Sequence, residues 1–183
     1  MTRETFASTP VPPVVIQDIP LVLKEKVIIE IYRGHRGYYL PWPDEVPVVR
    51  DLVVNDGRIW LARRINGGDS QSPIAGSAMA YMAVGTVATA PALTNSIVAG
   101  EIKRKLLATN TALASSNVYT AIATFGGFAE TIQSIAITEA AILNHASSGL
   151  GLMFQRVTFA AVTLADSDLV NFRLETNVGS NTI

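Results

Sequence analysis

The strict alternation of side chains near the C-terminal end constrains the fold of this chain most. One side of the segment carries Val170, Phe172, Leu174, Thr176 and Val178, and the other side carries the polar residues Asn171, Arg173, Glu175 and Asn177. A period of two residues is the repeat of a β-strand, and one apolar face opposite one polar face is typical of a sheet covered on one side. The segment therefore predicts a half-buried strand in a layered β domain.

Several upstream segments have a similar composition and are separated by turn residues. They cover residues 78–84, 118–125, 132–143 and 152–162. Short strands at such spacing predict an all-β fold, with an antiparallel β-sandwich over residues 74–183. Residues 96–107 fit a helix, because Glu101 and Lys105 are four apart, and also a strand, because apolar and charged residues alternate. The β neighbours favour the strand.

The first 26 residues are expected to form an extended, proline-rich arm. Prolines at positions 10, 12, 13 and 20 fix φ and push the preceding residues into extended conformations. The arm is more apolar than a solvated linker, and its expected assembly contacts are Val11, Val14, Val15, Ile16, Ile19 and Leu21. Such a strip is expected to lie on another surface, either the protein's own domain or a neighbouring subunit, and the neighbour is favoured.

Residues 27–73 are expected to form a β-hairpin and loop region. Residues 48–54 and 58–62 are rich in strand-forming residues and are joined by Asn55, Asp56 and Gly57, which tolerate positive φ. This arrangement predicts a hairpin. A turn cluster at residues 66–70 marks the expected boundary before the C-terminal domain.

The weak charge of the chain limits its partners. Charged residues make up 16% of the sequence and the formal net charge is −1, so no basic footprint for nucleic acid is present. The folded surface is then either polar and uncharged or covered by a partner. Residues 74–100 carry no charge, but they are rich in small residues, and buried strands explain them better than a membrane span. The N-terminus lacks a basic start followed by a long apolar core, so no secretory signal is expected.

The sequence predicts no catalytic, cofactor or metal site. There are no cysteines, the two histidines are His35 and His145, and the phosphate-binding, zinc-protease and serine-hydrolase motifs are absent. Asp166 and Asp168 could bind calcium through their carboxylates, but a turn before the last strand, capped by Asp and Ser, is the favoured interpretation. We therefore expect a protein that is not an enzyme.

Glu139 is expected to form a structural ion pair. It shares the strand phase of Ile135 and Ile137 and is therefore expected to point inward. A buried carboxylate needs a partner, and Arg156 or Arg104 could supply one.

Aromatic residues cluster in the loop that follows residue 33. The aromatic residues are Tyr38, Tyr39 and Trp42, and His35 and Arg36 are near them in the sequence. Three interpretations remain: an assembly contact with a protein partner, packing over the neighbouring hairpin, or stacking on a glycan.

The order of motifs between Met79 and Gly179 resembles tailed-bacteriophage virion proteins, in particular the head region of tail-collar fibre proteins and small phage decoration or connector proteins. The matching positions are Val84, Gly85, Pro91, Glu101, Arg104, Ile137, Glu139, Arg156, Phe159, Asp168 and Leu169. Ala141 departs from the family pattern, which usually has Gly there.

The resemblance implies a non-enzymatic β-sandwich in a virion, of the fibre-attachment, collar or connector type. Its partners would be other virion proteins (tail, portal-proximal or capsid subunits) and further copies of itself in a homo-oligomer. A capsid decoration (cement) protein of the phage head is the alternative. A carbohydrate-binding module that uses the Tyr38, Tyr39 and Trp42 loop is the second alternative.

Overall fold

The computed structural model describes residues 22–35, 38–39, 43–46, 48–65, 78–112, 117–127, 130 and 132–179. Within these ranges the regular structure is mostly β-strand, with one short helix. In chain order the elements are β1 (Val22–Tyr32), β2 (Gly34–His35), β3 (Tyr38–Tyr39), β4 (Asp44–Glu45), β5 (Val48–Val53), α1 (Asn55–Ile65), β6 (Tyr81–Gly85), β7 (Glu101–Leu106), β8 (Thr109–Ala112), β9 (Val118–Gly126), β10 (Ala136–Leu143), β11 (Met153–Thr163) and β12 (Leu169–Gly179).

The strands form two five-stranded antiparallel sheets and a short ribbon. The first sheet has the order β4-β1-β12-β9-β8, the second has the order β5-β11-β10-β6-β7, and β2 pairs with β3. Every pair of neighbouring strands is antiparallel. The predicted all-β class is therefore confirmed.

The main core contains side chains from both sheets. The alternation predicted for β12 is present, because Val170, Phe172 and Leu174 are fully buried and Arg173 between them is exposed. Phe172 of the first sheet lies 5.4 Å from Phe159 of the second sheet, measured between ring centroids. Thr176 also donates a 3.2 Å hydrogen bond to Gln155 of the second sheet. The apolar faces of the two sheets thus share one core.

The hairpin predicted around residues 55–57 is wrong, because residues 58–62 belong to the helix α1. Its first turn closes through a 3.1 Å hydrogen bond from Arg58 N to the Val54 carbonyl. A Cβ on Gly57 would lie 2.2 Å from the Phe154 carbonyl oxygen, so the helix starts in close contact with β11. Trp60 then packs edge-on against Phe154 with ring centroids 5.9 Å apart. Strand β5 pairs with the distant β11 instead, and this long-range pairing leaves residues 58–62 free to form the helix.

The expected boundary at residues 73 and 74 does not separate the two sheets. Strand β1 pairs with β12 along all of its eleven residues, and β5 pairs with β11. Strand β1, which begins at Val22 within the expected arm of residues 1–26, and strand β5 therefore belong to the same sheets as strands of the C-terminal part. The preference for a strand within residues 96–107 is confirmed, because Glu101–Leu106 pairs with β6. No helix in the described ranges is long and apolar enough to cross a membrane.

Candidate functional site

A shift of register in β10 determines where Glu139 lies. The pairing of β10 with β11 changes register between Ile137 and Glu139. Ile137 and Ala140 belong to the main core, whereas Ala141 belongs to a second apolar cluster on the opposite face of the sheet. Glu139 shares the face of Ala141, since side chains two apart on a strand point the same way. The phase predicted from Ile137 is therefore wrong, although Glu139 is fully buried.

The structure brings Glu139 and Arg156 together beneath residues 86–100. Arg156 Nε donates to Glu139 Oε2 at 2.8 Å, and the Glu139 and Arg156 side chains are 0% and 3% exposed. The guanidinium also donates from Nη1 to Asn95 Oδ1 at 3.0 Å and from Nη2 to the Val87 carbonyl at 3.3 Å. Val87 N donates back to Glu139 Oε1 at 3.3 Å. The ion pair therefore fastens this covering segment to the second sheet.

The environment of Glu139 combines burial with several donors. Burial raises the pKa of Glu139, and the hydrogen bond and charge of Arg156, together with the backbone N–H groups of Val87 and Ala99, partly oppose that rise. Gly85 lies directly beside the carboxylate, because a Cβ at this position would be 2.6 Å from Glu139 Oε1. The site thus requires glycine at position 85.

A depression of about 380 Å³ is lined by this segment and by Arg156. The rest of its lining is uncharged: Val87, Thr89, Ala90, Ala92, Thr94, Asn95, Ser96, Ile97 and Ala99. Ile97 and Leu93 of the segment are 54% and 41% exposed. Because Arg156 already donates to three protein acceptors, the depression offers apolar and uncharged polar contacts rather than charge.

Arg104, the other candidate partner of Glu139, pairs with Glu101 instead. Its Nη2 lies 2.7 Å from Glu101 Oε2, and both side chains are buried. Its Nη1 donates to the carbonyls of His145 and Ser147 at 2.7 and 2.8 Å, and to the Leu150 carbonyl at 3.1 Å. Arg104 therefore holds the turn between β10 and β11.

Asp168 binds backbone and side-chain donors in the turn before β12. It accepts hydrogen bonds from Gly34 N at 3.0 Å, from Ala165 N at 3.1 Å and from Arg33 Nη1 at 2.7 Å. Burial alone would raise the pKa of Asp168, but these three donors outweigh it and lower the pKa below its ordinary value. Asp166, in the same turn, is exposed. In the part of the chain that the structure describes, no three His, Cys, Asp or Glu side chains are grouped to hold a metal ion.

The predicted contacts of the arm and aromatic loop are only partly described. Tyr38 and Tyr39 form β3, and their backbones pair with His35 and Gly34 of β2. Gly34 also donates to Asp168, so the start of this ribbon is fastened to the turn before β12. Six arm residues and two loop residues lie outside the described residues: Val11, Val14, Val15, Ile16, Ile19, Leu21, Arg36 and Trp42.

The structure adds one residue, Asn95, and one ion pair, between Glu101 and Arg104, that sequence reasoning missed. Asn95 lies in an uncharged segment, and no local pattern indicated that its amide would accept a bond from Arg156. Glu101 was considered as the i, i+4 partner of Lys105 and as a position of the resemblance, but not as an ion-pair partner, and in the extended strand it pairs with Arg104.

Three comparisons with known proteins gave no match: no family model fits the sequence, and no curated protein or solved structure is significantly similar to it.

Proposed function

We propose that this protein is a non-enzymatic structural component of a tailed-bacteriophage virion, of the fibre-attachment, collar or connector type. The observation that carries the proposal concerns the positions on which the resemblance rests. Among the described residues, five of these positions form buried ion pairs or hold turns: Glu101, Arg104, Glu139, Arg156 and Asp168. Positions on which the resemblance rests therefore hold loops onto the sheets.

A β-sandwich is the architecture that fits this proposal. Two five-stranded antiparallel sheets, with apolar faces that share one core, are what a sandwich requires. The segment at residues 86–100 and the turn between β10 and β11 then cover the second sheet. Arg156 fastens the first of these loops, and Arg104 fastens the second.

The non-enzymatic part of the proposal is supported by the way the buried acids are used. The carboxylates of Glu139, Glu101 and Asp168 each accept a bond from an arginine. A carboxylate held in this way stabilises the fold and is poorly placed to exchange protons with a substrate.

An assembly role is supported by the surface of the described residues. Five large apolar side chains are exposed: Ile59, Leu93, Ile97, Leu106 and Leu150. Leu93, Ile97 and Leu150 belong to loops. The chain is also weakly charged, with a formal net charge of −1. Such a surface suits contacts with other virion proteins and with further copies of the same chain.

The test is to locate the protein in particles produced from the genome that encodes it. Purified particles are analysed by mass spectrometry and labelled with an antibody raised against the recombinant protein. We expect the protein in the particles and the label at the tail or neck. Label distributed over the head would replace the tail assignment by capsid decoration, and particles that lack the protein would refute the virion role.

An arm-deleted variant without residues 1–21 extends this test. We expect it to fold, as judged by its circular dichroism spectrum and its denaturation curve, and to be missing from the particles. Normal incorporation of the variant would refute assembly through the arm. A glycan array with the full chain tests the carbohydrate alternative, because specific binding that Trp42→Ala abolishes would favour that alternative over the virion role.

A further inference from the structure

Among the residues that the structure describes, the outer edge of β1 is paired only near its C-terminal end. Glu30 and Ile31 pair with β4, and Val46 N donates to the Ile29 carbonyl at 2.9 Å. The same register would next place Ile28 opposite Pro47, which has no backbone N–H. The following strand, β5, pairs with β11 in the second sheet. In the described part of the chain the backbone pairing on this edge therefore ends at Ile29, and β5 meets the edge through the Glu25 side chain, which accepts a hydrogen bond from Val53 N.

The remainder of this edge presents free backbone groups. In an antiparallel strand the N–H and C=O of one residue point to the same side, and the side alternates along the chain. The Ile29 carbonyl points outward, so the backbone groups of Leu23, Glu25 and Val27 point outward as well. Among the described residues, no strand pairs with these three on that side. An unpaired edge of this kind is a template for another strand.

A groove of about 390 Å³ lies beside this free edge. It is lined by Lys26, Val27, Ile28, Ile29, Glu45 and Val46. Val27 and Val46 are half-buried and pack against the main core. A strand added to the edge would cover them with every second side chain.

We propose that residues 14–19 of a neighbouring copy add a strand to the free edge of β1. This inference rests on the proposed assembly function and specifies where the arm binds. Residues 14–19 are the longest stretch between two prolines in the first 21 residues, lying between Pro13 and Pro20, and four of the six are Val or Ile. Six residues in a strand span about 20 Å, which matches the length of the edge from Leu23 to Ile29.

One antiparallel register of the added strand against β1 gives favourable side-chain pairs on both faces of the sheet. With Gln17 opposite Glu25, the Gln17 amide can donate to a half-buried carboxylate that already accepts a 3.1 Å bond from Val53 N. The same register places Asp18 opposite Lys24 on the outer face. A shift by one residue would turn Asp18 toward the side of Glu25, where like charges repel.

The strand comes from a neighbouring copy because the protein's own arm cannot reverse in this register. Reversal would have to occur within Pro20, Leu21 and Val22, and Val22 already pairs with Gly179 as the start of β1. In a three-residue hairpin loop the last residue adopts positive φ, and here that residue would be Val22, a β-branched valine that rarely adopts that conformation. The arm of a second copy has no such restriction.

The absence of cysteine from the chain makes this pairing directly testable by disulfide formation. Asp18→Cys and Lys24→Cys variants are prepared separately, mixed and oxidised, both as concentrated purified protein and within particles assembled from the mixture. We expect a disulfide-linked dimer that contains one chain of each variant. Lys103→Cys, on β7 at the far edge of the second sheet, is the matched control and is expected to give no such dimer with Asp18→Cys.

The outcomes separate this inference from the proposed function. If no disulfide forms between the Asp18→Cys and Lys24→Cys chains, in purified protein or in particles, the inference is overturned. That result does not affect the measurement of whether the protein is present in particles. A fast-migrating monomer from the doubly substituted chain at high dilution, with no mixed dimer, shows pairing within one chain and also overturns it. A mixed dimer of a protein that is missing from particles supports the pairing and refutes the virion role alone.

Discussion

Replacement of Arg156 by methionine tests the buried ion pair most directly. Methionine keeps much of the aliphatic volume of the side chain and removes its charge and its three hydrogen bonds. The carboxylate of Glu139, which is 0% exposed, would then remain buried without its cation. Removal of one partner from a buried ion pair costs about 3–5 kcal/mol. A domain of this size is stable by about 5–15 kcal/mol, so the loss is large and measurable.

Urea denaturation at pH 7 provides the assay, and Arg173→Met provides the matched control. Arg173 Nη2 lies 2.6 Å from Glu175 Oε1, but the Arg173 side chain is 48% exposed. An exposed pair contributes about 0–1 kcal/mol, so the control is expected to change the free energy of unfolding by no more than that. If Arg156→Met folds normally and costs as little as Arg173→Met, the argument from burial is refuted.

The pH dependence of Arg156→Met supplies an independent check. Burial already raises the pKa of Glu139 above its ordinary value of 4.5, and loss of the arginine removes the main opposing influence. The native variant therefore binds a proton at pH values where the unfolded chain does not, and its stability falls as the pH rises through that window. The penalty relative to the wild type is expected to shrink as the pH is lowered from 7 toward 4.5. Adding Glu139→Gln to the variant should restore part of the stability at pH 7 and remove this pH dependence, and an equal penalty at pH 5 and pH 7 would contradict the assignment.

Three further substitutions test the other anchors. Asp168→Ala is expected to cost about 1–3 kcal/mol, because three donors lose their acceptor, whereas Asp166→Ala in the same turn should stay within about 0.5 kcal/mol. Since the pKa of Asp168 is lowered from 3.8, its contribution is lost as the pH falls below that value, and acid titration of both variants should show the gap closing. Gly85→Ala is expected to lower stability by about 1–3 kcal/mol in thermal denaturation, because the new methyl group would lie 2.9 Å from a backbone carbonyl oxygen, and an unchanged melting temperature would contradict that clash. Arg104→Ala should speed amide hydrogen exchange in residues 145–151 without changing exchange in β12. If these amides exchange equally slowly in the variant and in the wild type, the turn does not depend on the arginine.

Strand identity could be read from the sequence where the pattern is local and complete. The alternation from Val170 to Phe172 and Leu174 determines which face of β12 is buried, because side chains on an extended backbone must alternate. The same principle failed at Glu139, where a shift of register between Ile137 and Glu139 reversed the faces. A register shift depends on the neighbouring strand, and no single segment records it.

The sequence also determined that a carboxylate with the strand pattern of Glu139 would need an arginine, because an unpaired buried charge is too costly. Only the tertiary structure decided between the two candidates. Arg156 faces Glu139 from the adjacent strand, and Arg104 instead meets Glu101 and the carbonyls of a turn. The partner of each side chain depends on which strands pair, and these strands are far apart in the sequence. For the same reason β5 pairs with the distant β11, and residues 55–65 form a helix instead of the second strand of a hairpin.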